Sequence, residues 1–157
     1  MRILRTLALA TLLLSSTTAF AADPETTMVP IIEKTQSIVD LLEGSQYNEE
    51  VVRIEMDLLF DSKESIRTLT SKYTYTIVAY GDDRFKDIDV SVYRRTDHGW
   101  AIVEKDADNS SLAVVTIKPE TTGEYKIEII AREFEKGYSA GHYGLVISHD
   151  KNYSSQN

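Results

Sequence analysis

The stretch Gly81-Asp-Asp-Arg-Phe-Lys-Asp-Ile-Asp-Val-Ser-Val-Tyr-Arg-Arg95 decides the fold class. It begins as an acidic turn and continues as a segment in which Ile88, Val90 and Val92 alternate with Asp89, Ser91 and Tyr93. Successive side chains of a strand point to opposite faces, so one face of this segment belongs to a core and the other to solvent. Thr96-Asp-His-Gly99 follows with the length and composition of a hairpin turn, and Trp100 to Lys105 returns with Trp100 and Ile102 on one face.

The same alternation extends outward on both sides. Glu50 to Phe60 sets Val52, Ile54, Met56, Leu58 and Phe60 against Val51, Arg53, Glu55, Asp57 and Leu59, the pattern of a half-buried strand. Asp61-Ser-Lys-Glu-Ser65 reads as a polar connection, and Lys72 to Tyr80 as the next strand, rich in Tyr and β-branched residues. Leu112 to Ile117, Glu124 to Arg132 and His142 to Ser148 complete the set; Tyr125, Ile127, Ile129 and Ala131 are expected inward. Seven strands joined by turns, without βαβ alternation, imply an all-β antiparallel sandwich. One helix precedes them: from Val29 to Glu43, Pro30 suits the first turn, Ile31, Thr35, Ile38 and Leu42 share a face, and Gly44 stands at the stop. Its expected role is to cover an open end or edge of the domain. Val39 and Leu41 widen its apolar stripe, which would suit a docking helix.

The chain's start has the three parts of a secretory signal: Arg2 and Arg5, an apolar run from Leu7 to Leu14, and small residues ending Ala19-Phe20-Ala21. The run is too short to span a bilayer, which takes about 20 apolar residues. A cleaved signal at 1–21, a leader and helix over 22–48, a sandwich over 49–149 and a flexible tail over 150–157 are therefore expected, in a periplasmic or extracellular protein with no membrane insertion. The formal net charge of −8 disfavours nucleic acid and suits cationic ligands or basic protein patches. With no cysteine there is no disulfide framework, no thiolate nucleophile and no cysteine zinc site.

Two acidic segments carry the strongest constellation: Asp82, Asp83, Asp87 and Asp89 in one, Asp106, Asp108 and Asn109 in the other. Calcium takes six to eight oxygen ligands, mostly from loops, and the hairpin between Asp87 and Lys105 could bring both segments to one end. Solvated turns are the alternative, since Asp and Asn cap local backbone. His98, His142 and His149 are spaced against a shared metal, and Ser110, Ser111 and Ser139 lie outside any nucleophile elbow, so no catalytic set can be named. Tyr73, Tyr75, Tyr125 and Tyr143 fall on inward faces. Tyr80, Tyr93 and Tyr138 fall outward or in loops and, with Trp100, could form a stacking platform for a sugar or peptide.

Asp87-Ile-Asp89-Val-Ser-Val-Tyr93, the acidic turn Asp106-Ala-Asp108-Asn109, and Pro119-Glu-Thr-Thr-Gly123-Glu-Tyr125 leading to Tyr143-Gly-Leu145 together resemble the bacterial pre-peptidase C-terminal domain. The resemblance covers Lys72 to Ser148. It implies a jelly-roll-like β-sandwich without catalysis, sometimes calcium-stabilised, that attaches to a protein or polysaccharide. The chain departs from that family in placing only a helix and one or two strands, and no peptidase, before the module. A free-standing secreted protein therefore has to be considered; a secreted or periplasmic non-catalytic binding module is the first reading, and a periplasmic helper or inhibitor acting through the helix or a sheet edge is the second.

Overall fold

The computed structural model describes residues 27–151, so the signal reading at 1–21 and most of the tail lie outside the described residues. Helix α1 (Val29–Glu43) is followed by eight strands: β1 (Glu49–Leu59), β2 (Ser62–Leu69), β3 (Tyr75–Gly81), β4 (Phe85–Thr96), β5 (Gly99–Asp106), β6 (Leu112–Ile117), β7 (Gly123–Phe134) and β8 (Gly141–Asp150). They form two antiparallel four-stranded sheets, β1-β8-β3-β6 and β2-β7-β4-β5, packed face to face. This is the strand order of a jelly roll.

The order follows from one hairpin. β4 and β5 pair around the turn Thr96–Gly99, where Gly99 takes a φ of +118° that a side chain would strain. Outside them β3 pairs with β6, then β2 with β7, then β1 with β8. Tyr80 faces Leu112, Ser62 faces Ile130 and Leu59 faces Gly141, and the sequence midpoint of every such pair lies between Thr96 and Trp100. The chain is thus a long hairpin folded at Thr96–Gly99 and rolled so that alternate pairs fall in alternate sheets.

Between the sheets Ile88, Val90 and Val92 meet Ile77, Ala79, Val115, Tyr125, Ile127, Ile129, Tyr143, Leu145 and Ile147, all buried. Burying each Val, Ile or Leu contributes about 1.5–3 kcal/mol, and no disulfide is needed.

Three expectations are corrected. The segment read as a polar connection is strand β2, an edge strand of which only Leu69 is buried. Its pairing with β7 rests on backbone, so little apolar alternation marks it. The apolar set of β1 does not face the inter-sheet core: a bulge between Val51 and Arg53 shifts the register, and Arg53, Glu55 and Asp57 stand opposite Ile147, Leu145 and Tyr143. These charges meet β2, where Arg67 pairs with Glu55 and Lys63 with Asp57 (3.3 Å), closing that side of the sandwich with ion pairs. Finally, α1 lies where expected but covers a sheet face, not an end or edge. Ile31 and Leu42 pack with Val78, Tyr80 and Val146 on the outside of the β1-β8-β3-β6 sheet.

Candidate functional site

With one outer face covered by α1, the outer face of the β2-β7-β4-β5 sheet is left bare among the described residues. The register puts Tyr93 beside Lys126 on β7 and Ile102 on β5, and Arg95 beside Trp100. Lys126 in turn neighbours Ile66 on β2. Opposed residues of an antiparallel pair share a face, so these side chains form one surface.

Lys126 organises it. Its ammonium lies 4.5 Å from the centroid of the Tyr93 ring and 5.9 Å from that of Trp100, and it bonds Glu64 at 2.6 Å. The hydrogen bond to Glu64 holds the Lys126 pKa above the ordinary lysine value, which favours the charged form. The Arg95 guanidinium lies over Trp100, 5.1 Å from the centroid of its ring. The Tyr93 hydroxyl donates to Glu128 at 2.8 Å, and this bond, with some burial, raises its pKa. Ile66 and Ile102, each 54% exposed, flank the cluster. Two rings held by cations and carboxylates, with apolar shoulders, can stack a flat ligand and offer hydrogen bonds around it.

Of the four aromatic residues expected to bind a ligand, Tyr93 and Trp100 come together here. Tyr80 does not: it is on an outward face, as read, but α1 buries it fully, and its hydroxyl bonds Thr35 Oγ1 at 2.5 Å. Tyr138 is exposed in the loop between β7 and β8, at the far end of β4 from Trp100. Lys126, Glu64, Glu128 and Arg95 were not singled out from the sequence. The outward set of β7 was legible, but which strand it faces is a matter of register.

The two acidic segments do reach the same end: Ile88 N–H donates to Ser110 O (2.8 Å) and Ser110 N–H to Asp87 Oδ1 (3.3 Å). The carboxylates of Asp82, Asp87, Asp89 and Asp106, however, are already engaged. Asp82 takes a double contact from Arg84 and accepts His142 N–H at 2.9 Å. Asp89 pairs with Arg132, and Asp106 accepts the N–H groups of Asp108 (3.0 Å) and Val114 (2.8 Å). Asp83, Asp108 and Asn109 are exposed. Among the described residues no three His, Asp or Glu side chains converge as a metal shell.

The histidines are apart as well. His98 is in the β4–β5 turn, His142 Nδ1 accepts from Arg84 at 2.7 Å, and His149 stacks on Tyr73 with centroids 4.0 Å apart.

No protein-family model matches the chain, and no curated protein does. Solved structures of similar chain path include the pre-peptidase C-terminal domain of collagenase from Bacillus anthracis, 10% identical, with a TM-score of 0.49 over 60% of this chain and 87% of that one. Another is PliG, a periplasmic inhibitor of g-type lysozyme from Aeromonas hydrophila, 12% identical, with a TM-score of 0.44 over 65% of this chain and 86% of that one. A third is a CBM4 structure, 15% identical, TM-score 0.42, over 66% and 79% of the two chains. These are distant likenesses of fold, and neither ligand nor activity passes from them to this chain.

Proposed function

We propose that the chain is a secreted or periplasmic, non-catalytic binding module that presents the open face of its β2-β7-β4-β5 sheet to a polysaccharide. One observation carries this reading: α1 covers one outer face, while the other displays Tyr93 and Trp100 around a fixed ammonium. Sugar rings stack on such aromatic faces, and Glu64, Glu128 and Arg95 supply donors and acceptors to hydroxyl groups. Trp100 is the single tryptophan of the chain, so its fluorescence reports on this face alone. Titration with soluble neutral and acidic polysaccharides is expected to shift that emission. Trp100→Ala and Tyr93→Ala, followed by calorimetry, are expected to weaken binding at least about tenfold, or about 1.4 kcal/mol, with melting curves little changed. Binding that survives both substitutions would refute the assignment.

Protein contact through α1 is the second reading, favoured by Val29, Ile32 and Leu41, which stay 53%, 53% and 51% exposed after the helix docks. Because α1 covers Val78 and Tyr80, deleting it would confound folding with binding; Ile32→Glu and Leu41→Glu separate the two. Capture of a partner by the parent chain, lost in these variants, would support this reading.

A further inference from the structure

The geometry points to strand β5 as a self-association edge, at which a second copy of the chain pairs antiparallel and extends the β2-β7-β4-β5 sheet across a two-fold axis.

An edge strand offers unpaired backbone groups that template pairing unless something blocks them. The other three edges carry charges or side-chain bonds that discourage pairing. On β1 and β2 inward charges are locked to one another by the Arg67–Glu55 and Lys63–Asp57 pairs. On β6 the side chains of Ser110 and Asp106 accept the N–H groups of Leu112 (3.1 Å) and Val114 (2.8 Å), and Pro119 follows the strand. On β5 the corresponding contact among the described residues is Glu104 Oε1 accepting Lys105 N–H at the far end (3.0 Å). The run Ala101-Ile102-Val103 is exposed, uncharged and free of proline, and a groove of about 420 Å³ runs beside it toward β6, lined by Ile102, Val103, Thr116 and Pro119.

The occupant follows from the strand's own pattern. A bulge between Val92 and Tyr93 of β4 leaves Val103 as an extra residue on β5, so Trp100, Ile102 and Lys105 share the open face while Ala101 and Glu104 share the other. An antiparallel copy centred between Ile102 and Val103 then sets Trp100 opposite Lys105 and Ala101 opposite Glu104, each pair on one face. Without the extra residue that register would put the partners on opposite faces. It places the ammonium of each Lys105 at the indole of the other copy, and no carboxylate among the described residues forms an ion pair with Lys105. An eight-residue edge buries less than the roughly 1,200 Å² of stable complexes, so the dimer is weak and concentration-dependent. The net charge of −8 opposes it, and added salt therefore tightens it.

Sedimentation of the chain from about 10 μM to about 1 mM, the range of weak complexes, at low and moderate salt tests this. A monomer–dimer equilibrium that salt strengthens is expected. Val103→Lys and Val103→Asp, near the axis, each weaken it at least about tenfold, and an equimolar mixture of the two restores it. Leu112→Lys on β6 leaves it unchanged. Where a Val103 variant melts early, the exposed Ile102→Lys replaces it. A monomer at every concentration and salt, or a dimer indifferent to folded variants of β5, would overturn the proposal.

Discussion

Tyr80 shows how much one side chain can depend on a neighbour that has none. Its ring lies where a Cβ on Gly144 would come within 2.3 Å of it, and its hydroxyl reaches Thr35 on the helix. Gly144→Ala must displace the ring or the strand and is expected to cost about 1–3 kcal/mol in urea unfolding. Tyr80→Phe loses only the hydrogen bond and leaves Thr35 its bond to Ile31 O (2.6 Å), costing about 1 kcal/mol. At the acidic end, burial pushes the Asp82 carboxyl up, but the Arg84 guanidinium and the N–H groups of His142 and Arg84 outweigh it and hold its pKa below the usual value. A carboxylate lowered in the folded state stabilises fully above its unfolded pKa of about 4, and that contribution is lost as pH falls through the folded value. Stability should therefore drop below about pH 4, and less steeply in Asp82→Asn, as followed by circular dichroism. Arg84→Ala leaves a buried carboxylate unpaired and is expected to cost about 3 kcal/mol. Because Asp82, Asp87, Asp89 and Asp106 accept from protein donors, neither calcium nor a chelator is expected to move the melting temperature; a rise with calcium would support the metal reading.

Helix α1 and the β1–β2 pair illustrate two ways of finishing a sandwich. The helix supplies Ile31 and Leu42 to a second, smaller core outside the sheet, so Ile31→Ala should cost about 2–4 kcal/mol. Ile32→Glu, on the exposed flank, should change stability by less than about 0.5 kcal/mol. Thermal melts of the two variants check the assignment of faces. The β1–β2 side instead uses charge. Burial raises the Glu55 carboxyl, yet Arg53 and Arg67 together hold its pKa below the ordinary value, so the ladder remains ionised at neutral pH. Sequence alternation identified β1 as a strand and misassigned its faces because one bulge inverts the reading of every residue after it. It missed β2 because an edge strand between charged neighbours has no apolar rhythm to detect.

At the scale of the whole molecule, the nested hairpin makes contacts progressively more distant in sequence, from Thr96–Gly99 to Glu49–Asp150. Loop closure grows costlier with separation, and such topologies fold in milliseconds to seconds. The β4–β5 hairpin is expected to form in the transition state and β1–β8 after it. Gly99→Ala, at positive φ, should therefore slow refolding, while Ile54→Ala on β1 should mainly speed unfolding; stopped-flow fluorescence of Trp100 measures both. The opposite assignment of rates would place the nucleus elsewhere.

The local pattern of side chains determined the strand segments around the central hairpin, the helix bounds and the inward tyrosines, because periodicity of 2 or 3.6 residues is written in any single segment. Tertiary structure alone decided which faces meet. Burial of Tyr80, the spending of the aspartates on Arg84 and Arg132, and the joining of Tyr93, Trp100 and Lys126 all depend on register between segments far apart in the chain. Register is set by how two sheets share one core, a property of the packed whole that no single segment contains.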